Sequence, residues 1–161
     1  MKAKLRAAEF KRIIDNTKMF TSKHEQNLMS WIYLEVDAEE KTIKATALDA
    51  HRVSIEYAEL LSADTSFNCY IRPTIPKITR QDNFAELELQ NERLYVQVGE
   101  SIMGYIQPEG QFYKVTDFLK GIQEKQKAAV IGINPKFLKE AMGSISVTDS
   151  PKAIIDIYDP I

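Results

Sequence analysis

Cysteine is almost missing from this 161-residue chain, with Cys69 standing alone. A single thiol excludes an internal disulfide and any cysteine-based metal cluster. It also fits a reducing cytoplasm, the compartment expected here. Histidine is nearly as scarce: His24 and His51 lie in different elements, and no His-x-x-x-His spacing points to zinc. The six glycines are scattered at 99, 104, 110, 121, 132 and 143, so no glycine-rich phosphate loop exists. No apolar run is long enough to span a bilayer, and no membrane is expected as a partner. The start, Met1-Lys2-Ala3-Lys4-Leu5-Arg6, has positive charge without an apolar stretch behind it and does not read as a secretory signal. An excess of one charge is missing too: 21 Lys+Arg against 23 Asp+Glu gives a formal −2. That total argues against a simple DNA-coating protein. It leaves room for one basic face on an otherwise acidic surface, because binding depends on where charges sit.

What is present is an ordinary core-forming composition, 44% hydrophobic and 27% charged. Residues 7–18 have a helical period. With Phe10 at the centre of one face, Ala7, Ile13, Ile14 and Thr17 fall within roughly 60° of it at 100° per residue. The period then becomes two. Ile32, Leu34 and Val36 alternate with Trp31, Tyr33 and Glu35. Ile43, Ala45 and Ala47 alternate with Thr42, Lys44 and Thr46, and Val53, Ile55 and Tyr57 with Ser54 and Glu56. With Asp37-Ala38-Glu39-Glu40 as a turn, this predicts a three-stranded antiparallel meander with one buried face.

The plan then recurs. Phe67 to Ile71 reads as a strand. Residues 72–78 form a short helical element, limited by Pro73 and Pro76. Strands follow around Ala85–Leu89, Leu94–Val98 and Ile102–Gln107, with a turn at Asn91-Glu92. A third copy begins with an apolar strand at 128–133. Asn134-Pro135 starts a helix whose apolar face is Phe137, Leu138, Ala141 and Met142. The order strand, helical element, three strands thus occurs twice in about 110 residues, and a polar stretch over 120–127 reads as a linker before the third copy.

Chemistry-bearing clusters are few. Asp49-Ala50-His51-Arg52 is the one dense polar group, in the tight connection between two apolar strands. An acid–base pair of Asp49 and His51 would need a nucleophile or cleft that nothing supplies. A turn held by an Asp–Arg contact is the simpler reading. The basic residues on the helices read either as a solvated face or as phosphate contacts that neutralise a nucleic-acid backbone without reading its sequence.

The segment Ala47-Leu48-Asp49-Ala50-His51-Arg52-Val53 resembles the Ala-Thr-Asp-Gly-His-Arg-Leu signature in the middle domain of the bacterial DNA polymerase III beta subunit, the sliding clamp. Leu48 stands for the family's Thr and Ala50 for its Gly. Gly110-Gln111-Phe112-Tyr113-Lys114-Val115 stands where that family has Gly-Arg-Phe-Pro-Asp-Tyr. Ile131-Gly132-Ile133-Asn134-Pro135-Lys136-Phe137-Leu138 resembles a strand-to-helix junction of the family's next domain.

The resemblance implies an α+β DNA-clamp fold of repeated β-α-β-β-β units, with antiparallel sheets outside and helices on one face. It implies one complete clamp-like domain over 1–117, a linker over 118–127 and a partial third clamp unit over 128–161. It implies a processivity factor that binds duplex DNA without sequence specificity and tethers DNA polymerase. Such a protein is an accessory subunit of a replicative polymerase, not itself an enzyme, and uses no cofactor. DNA would meet Lys11, Arg12, Lys18, Lys23, His24, Lys136 and Lys139. Polymerase and clamp-loader peptides would seat against Leu48, Asp49, Ala50, His51, Arg52 and Val53. The chain has about three half-domain units where a full family member has three domains. Ring formation would therefore require a homo-oligomer. A clamp-fold module that binds replication proteins without encircling DNA is the alternative.

Overall fold

Alternation of Ala3 and Leu5 with lysines and arginine makes the first strand, β1 (Lys2–Arg6), which runs directly into helix α1 (Ala7–Lys18). The computed structural model describes residues 1–23, 27–49 and 52–115, together with 117, 119, 120, 135, 136 and 139. The chain divides into two compact units, Met1–Tyr113 and Lys114–Ile161. In the second, Val115, Asp117, Leu119 and Lys120 are helical, as are Pro135, Lys136 and Lys139. The expected strand at 128–133 and the helix's apolar face lie outside the described residues.

In the first unit, β2 (Ile32–Asp37), β3 (Thr42–Leu48) and β4 (Val53–Ala63) form the expected meander. β5 (Phe67–Ile71), β6 (Phe84–Gln90), β7 (Arg93–Val98) and β8 (Ser101–Ile106) complete one eight-stranded sheet in the order β5-β2-β3-β4-β1-β6-β7-β8. Every pairing is antiparallel. β1 joins the two halves, with Leu5 opposite both Leu60 and Ala85.

Helix α1 buries the face expected of it: Ala7, Phe10, Ile13, Ile14 and Thr17. Thr17 belongs there because its hydroxyl donates back to the Ile13 carbonyl at 2.7 Å. No side chain caps the helix start. Instead the Ala7 amide donates to the Asn83 carbonyl at 3.0 Å, so a distant segment satisfies one of the first-turn donors. The Asp37 turn is closed by its carboxylate, which accepts from the amides of Glu39 and Glu40, each at 3.0 Å. At Asn91-Glu92 both residues take positive φ, 50° and 58°, the twist a two-residue hairpin requires.

Two expectations change. The meander's third strand has the opposite phase to the one its apolar residues suggest. Ile43 and Ala45, fully buried on the helix side, lie opposite Ala58 and Glu56. Ala58 and Leu60 therefore pack inward, while Tyr57 points out and is 59% exposed. The later, buried part of the long strand sets the phase, and Glu56 is accommodated because Arg12 meets it at 2.6 Å.

The second half also lacks its helical element. Residues 72–83 cross the sheet as an irregular strap with no helix. Pro73 and Pro76 each remove a backbone donor, and the residue before each is disfavoured in the α region. Register puts Leu94 and Tyr105 on the same face as Leu89. There Tyr105 is buried and its hydroxyl donates to the Thr74 carbonyl at 2.8 Å. The strap thus lies on the inner face of the sheet, where Pro76 is buried.

Candidate partner-binding corner and nucleic-acid face

The Asp49–Arg52 corner sits at the tip of the β3–β4 hairpin, flanked by the facing pair Leu48 and Val53. The Asp49 amide donates to the Arg52 carbonyl at 3.0 Å. One Asp49 carboxylate oxygen accepts from the Arg52 amide at 3.1 Å and the other from the Arg52 Nε at 2.9 Å. The guanidinium continues outward. It donates to the Met19 carbonyl at 2.8 Å and lies 5.1 Å from the centre of the Phe20 ring. Met19 is the C-cap of α1, so a cation meets the negative end of the helix. The corner is a strut joining hairpin to helix. Leu48 and Val53 are half-buried and Met19 is 67% exposed, which leaves apolar surface beside the charged pair. Ala50 and His51 lie outside the described residues.

Removing the strut has a measurable consequence. Arg52→Ala should lower unfolding stability by about 1 kcal/mol, the scale of a partly exposed ion pair plus a helix-end contact. Arg52→Lys should recover only part, because an ammonium cannot serve Asp49 and the Met19 carbonyl in one plane. Urea melts of the three proteins check this.

The helix face expected to meet DNA is internally compensated. Asp15 accepts from both Lys11 and Lys18, the latter at 2.6 Å. These two hydrogen bonds, that of Lys11 first, hold its carboxyl below the usual range. Arg12 donates to Glu9 through Nε at 3.1 Å and to Glu56 at 2.6 Å. It also donates to the Tyr57 carbonyl at 2.6 Å. Its pKa is raised, chiefly by the Glu9 hydrogen bond. Arg12 therefore ties α1 to β4. Lys23 is exposed beyond the helix, and His24 lies outside the described residues. Lys136 and Lys139 are exposed helical residues of the second unit.

Sequence reading missed an aromatic cluster on the opposite face of the sheet. Tyr33 and Tyr70 face each other across β2 and β5, with ring centres 5.1 Å apart. Phe112 stacks on Tyr33 at 4.8 Å and meets Tyr70 at 6.1 Å, and Tyr113 packs edge-on against Phe112. Burial raises the pKa of both Tyr33 and Tyr70. The available signal was the pair of tyrosines at the polar phase of two strands. Thr46, opposite Tyr33, is buried there with no hydrogen-bond partner for its hydroxyl. Farther along this outer face a concavity of about 670 Å³ is lined by Lys2, Lys4, Glu86, Glu88, Tyr95 and Ile102 among others. Lys2–Glu88 at 3.2 Å and Lys4–Glu86 at 2.8 Å balance its charge.

Cys69 is buried, and burial pushes its thiol up, away from the reactive thiolate. Among the described residues, no group of three or more His, Cys, Asp or Glu side chains forms a metal-binding cluster, and no helix is long and apolar enough to cross a membrane.

No family model and no curated protein matches the chain. Solved structures do. A Eubacterium rectale structure assigned as a DNA polymerase III beta subunit is 20% identical with a TM-score of 0.64, over 74% of this chain and 34% of that one. The DNA polymerase III beta chain from Streptococcus pneumoniae is 19% identical with a TM-score of 0.61, over 73% and 32%. The Helicobacter pylori beta clamp bound to a DNA ligase peptide is 17% identical with a TM-score of 0.58, over 90% and 39%. The chain therefore has the sliding-clamp fold, and the match spans between about a third and two-fifths of the length of those clamp chains.

Proposed function

We propose that this chain is a clamp-type accessory protein of DNA replication, without catalytic activity of its own, that holds a polymerase on duplex DNA. The carrying observation is the eight-stranded antiparallel sheet with α1 on one face, an arrangement that matches sliding-clamp structures. In this reading the helix side faces DNA and meets phosphates loosely, so retention comes from topology and not from tight contact. The chain self-associates to complete a ring. The Leu48–Val53 corner takes short peptides from polymerase and clamp loader, with apolar side chains as anchors. The Helicobacter pylori clamp is bound to a DNA ligase peptide, which supports a peptide as partner chemistry.

A second reading has its own support. Lys11, Arg12 and Lys18 already have acidic partners, which favours a clamp-fold module that binds replication proteins without encircling DNA. Two measurements on the full chain separate the readings. Solution mass across a concentration series should show a ring-sized oligomer. Protein loaded on circular duplex should stay bound through a salt wash and be lost when the circle is cut. A strict monomer at high concentration, or retention indifferent to linearisation, overturns the encircling role and leaves the interaction module.

A further inference from the structure

The helix-side face carries a second set of cations, on the strap that stands where the second helix was expected. We propose that the phosphate contacts of this face are made by the strap 72–83, through Lys77 and Arg80, and not by α1. The proposal rests on the reading of the helix side as the face toward duplex DNA.

The strap shares that face with the helix. It starts at the end of β5, passes under the Tyr105 hydroxyl at Thr74, and ends where the Asn83 carbonyl receives the first amide of α1. Its sequence carries Arg72, Lys77 and Arg80 against Asp82, an excess of two positive charges. Arg72 is taken up locally: its guanidinium lies 3.9 Å from the centre of the Trp31 ring and donates to the Ser30 hydroxyl at 2.9 Å. Asp82 is taken up as well. Its carboxylate accepts from the Thr79 amide at 2.7 Å and the Thr79 hydroxyl at 2.8 Å, closing a turn. Lys77 and Arg80 are left exposed, and neither makes an ion pair among the described residues.

On α1 the situation is reversed. Lys11 and Lys18 share one aspartate, and Arg12 holds two glutamates. A phosphate must displace those carboxylates before it gains a contact, whereas at Lys77 and Arg80 it displaces only water and counterions. Each cation that neutralises a phosphate adds about 0.9 to the slope of log affinity against log salt.

The test uses the full chain and a fluorescent duplex DNA oligonucleotide, read by anisotropy from 50 to 200 mM NaCl. Two double variants remove the same charge: Lys77→Ala with Arg80→Ala, and Lys11→Ala with Lys18→Ala. All four side chains are exposed, and matched circular dichroism melts establish that both variants fold. The strap variant should bind at least tenfold more weakly at 50 mM salt, with the slope reduced by about 2. The helix variant should stay within threefold of the parent. Equal losses, or a larger loss for the helix variant, would overturn the strap assignment while leaving the DNA-facing reading in place. A parent protein that fails to bind the duplex at 50 mM salt would overturn the strap assignment alone, because retention by encirclement, tested on circular DNA, needs no tight contact with a linear duplex.

Discussion

Phe10→Ala is expected to lower unfolding stability by about 3–5 kcal/mol, the range for truncating a fully buried phenylalanine. Phe10 is 0% exposed and centres the helix face. Its companions Ile13 and Ile14 are equally buried, as are Leu5, Ile43 and Ala45 of the sheet. These side chains are short or already engaged, so the space left by the ring cannot close easily. A domain of this size holds roughly 5–15 kcal/mol in total, so the loss removes a large share of it and should move the unfolding midpoint sharply to lower denaturant. Urea titration with an unchanged slope is the primary measurement. Cys69 offers an independent one. Its thiol is buried in β5, so it should resist alkylation in the parent and react readily in the variant. Phe10→Leu should lose less than half as much. A Phe10→Ala protein as stable as the parent would mean that α1 does not depend on this face.

The second large effect lies at alkaline pH. Burial pushes Tyr105 from 10.0 to about 12. Between those values the unfolded chain has released the proton and the folded chain has kept it, so stability must fall as pH rises. The stability at stake is fully present below pH 10.0 and is lost as pH climbs through about 12. Two units correspond to about 2–3 kcal/mol. Tyr33, Tyr70 and Cys69 are shifted upward too, each mainly by burial, and add to the same trend. Tyr105→Phe separates its part. At pH 8 the variant should be less stable by about 1 kcal/mol, because it loses the 2.8 Å hydrogen bond to Thr74. By pH 11 the difference should shrink or reverse, since phenylalanine has no proton to lose. Denaturant titrations at pH 8, 9, 10 and 11 decide it. Identical slopes for parent and variant would show that Tyr105 does not govern alkaline unfolding.

Both effects come from places where local pattern and tertiary packing agree to different degrees. The Phe10 face was legible because a helix of three turns repeats its phase often enough for five residues to define one side. Strands β2, β3, β6 and β7 were legible for the same reason at period two. β4 was not: Val53, Ile55 and Tyr57 alternate cleanly, yet the inward phase belongs to Ala58 and Leu60 farther on. Alternation reports that two faces differ, and only the partner strands decide which is covered. The strap shows a related gap. Pro73 and Pro76 signalled an interrupted helix, but whether an irregular segment could cover Tyr105 depended on a sheet residue 31 positions beyond its partner Thr74.

The candidate site divides along the same line. The Asp49–Arg52 contact was readable, since it spans one tight turn and its partners are near neighbours in the chain. Its second half sets Arg52 against Met19, 33 positions away along the chain, and the adjoining Phe20 ring. The cations of α1 were readable as positions, but their neutralisation by Asp15, Glu9 and Glu56 was not. What the sequence by itself determined is most of the elements of the first unit, the buried side of α1, most of the strand phases and the kinship in fold to sliding clamps. What only the tertiary structure decided is which charges are already spent, where the strap lies and which tyrosines are dry. The physical reason is range. Periodicity and turn chemistry act between residues a few positions apart, whereas ion pairing and desolvation depend on whatever the folded chain brings alongside.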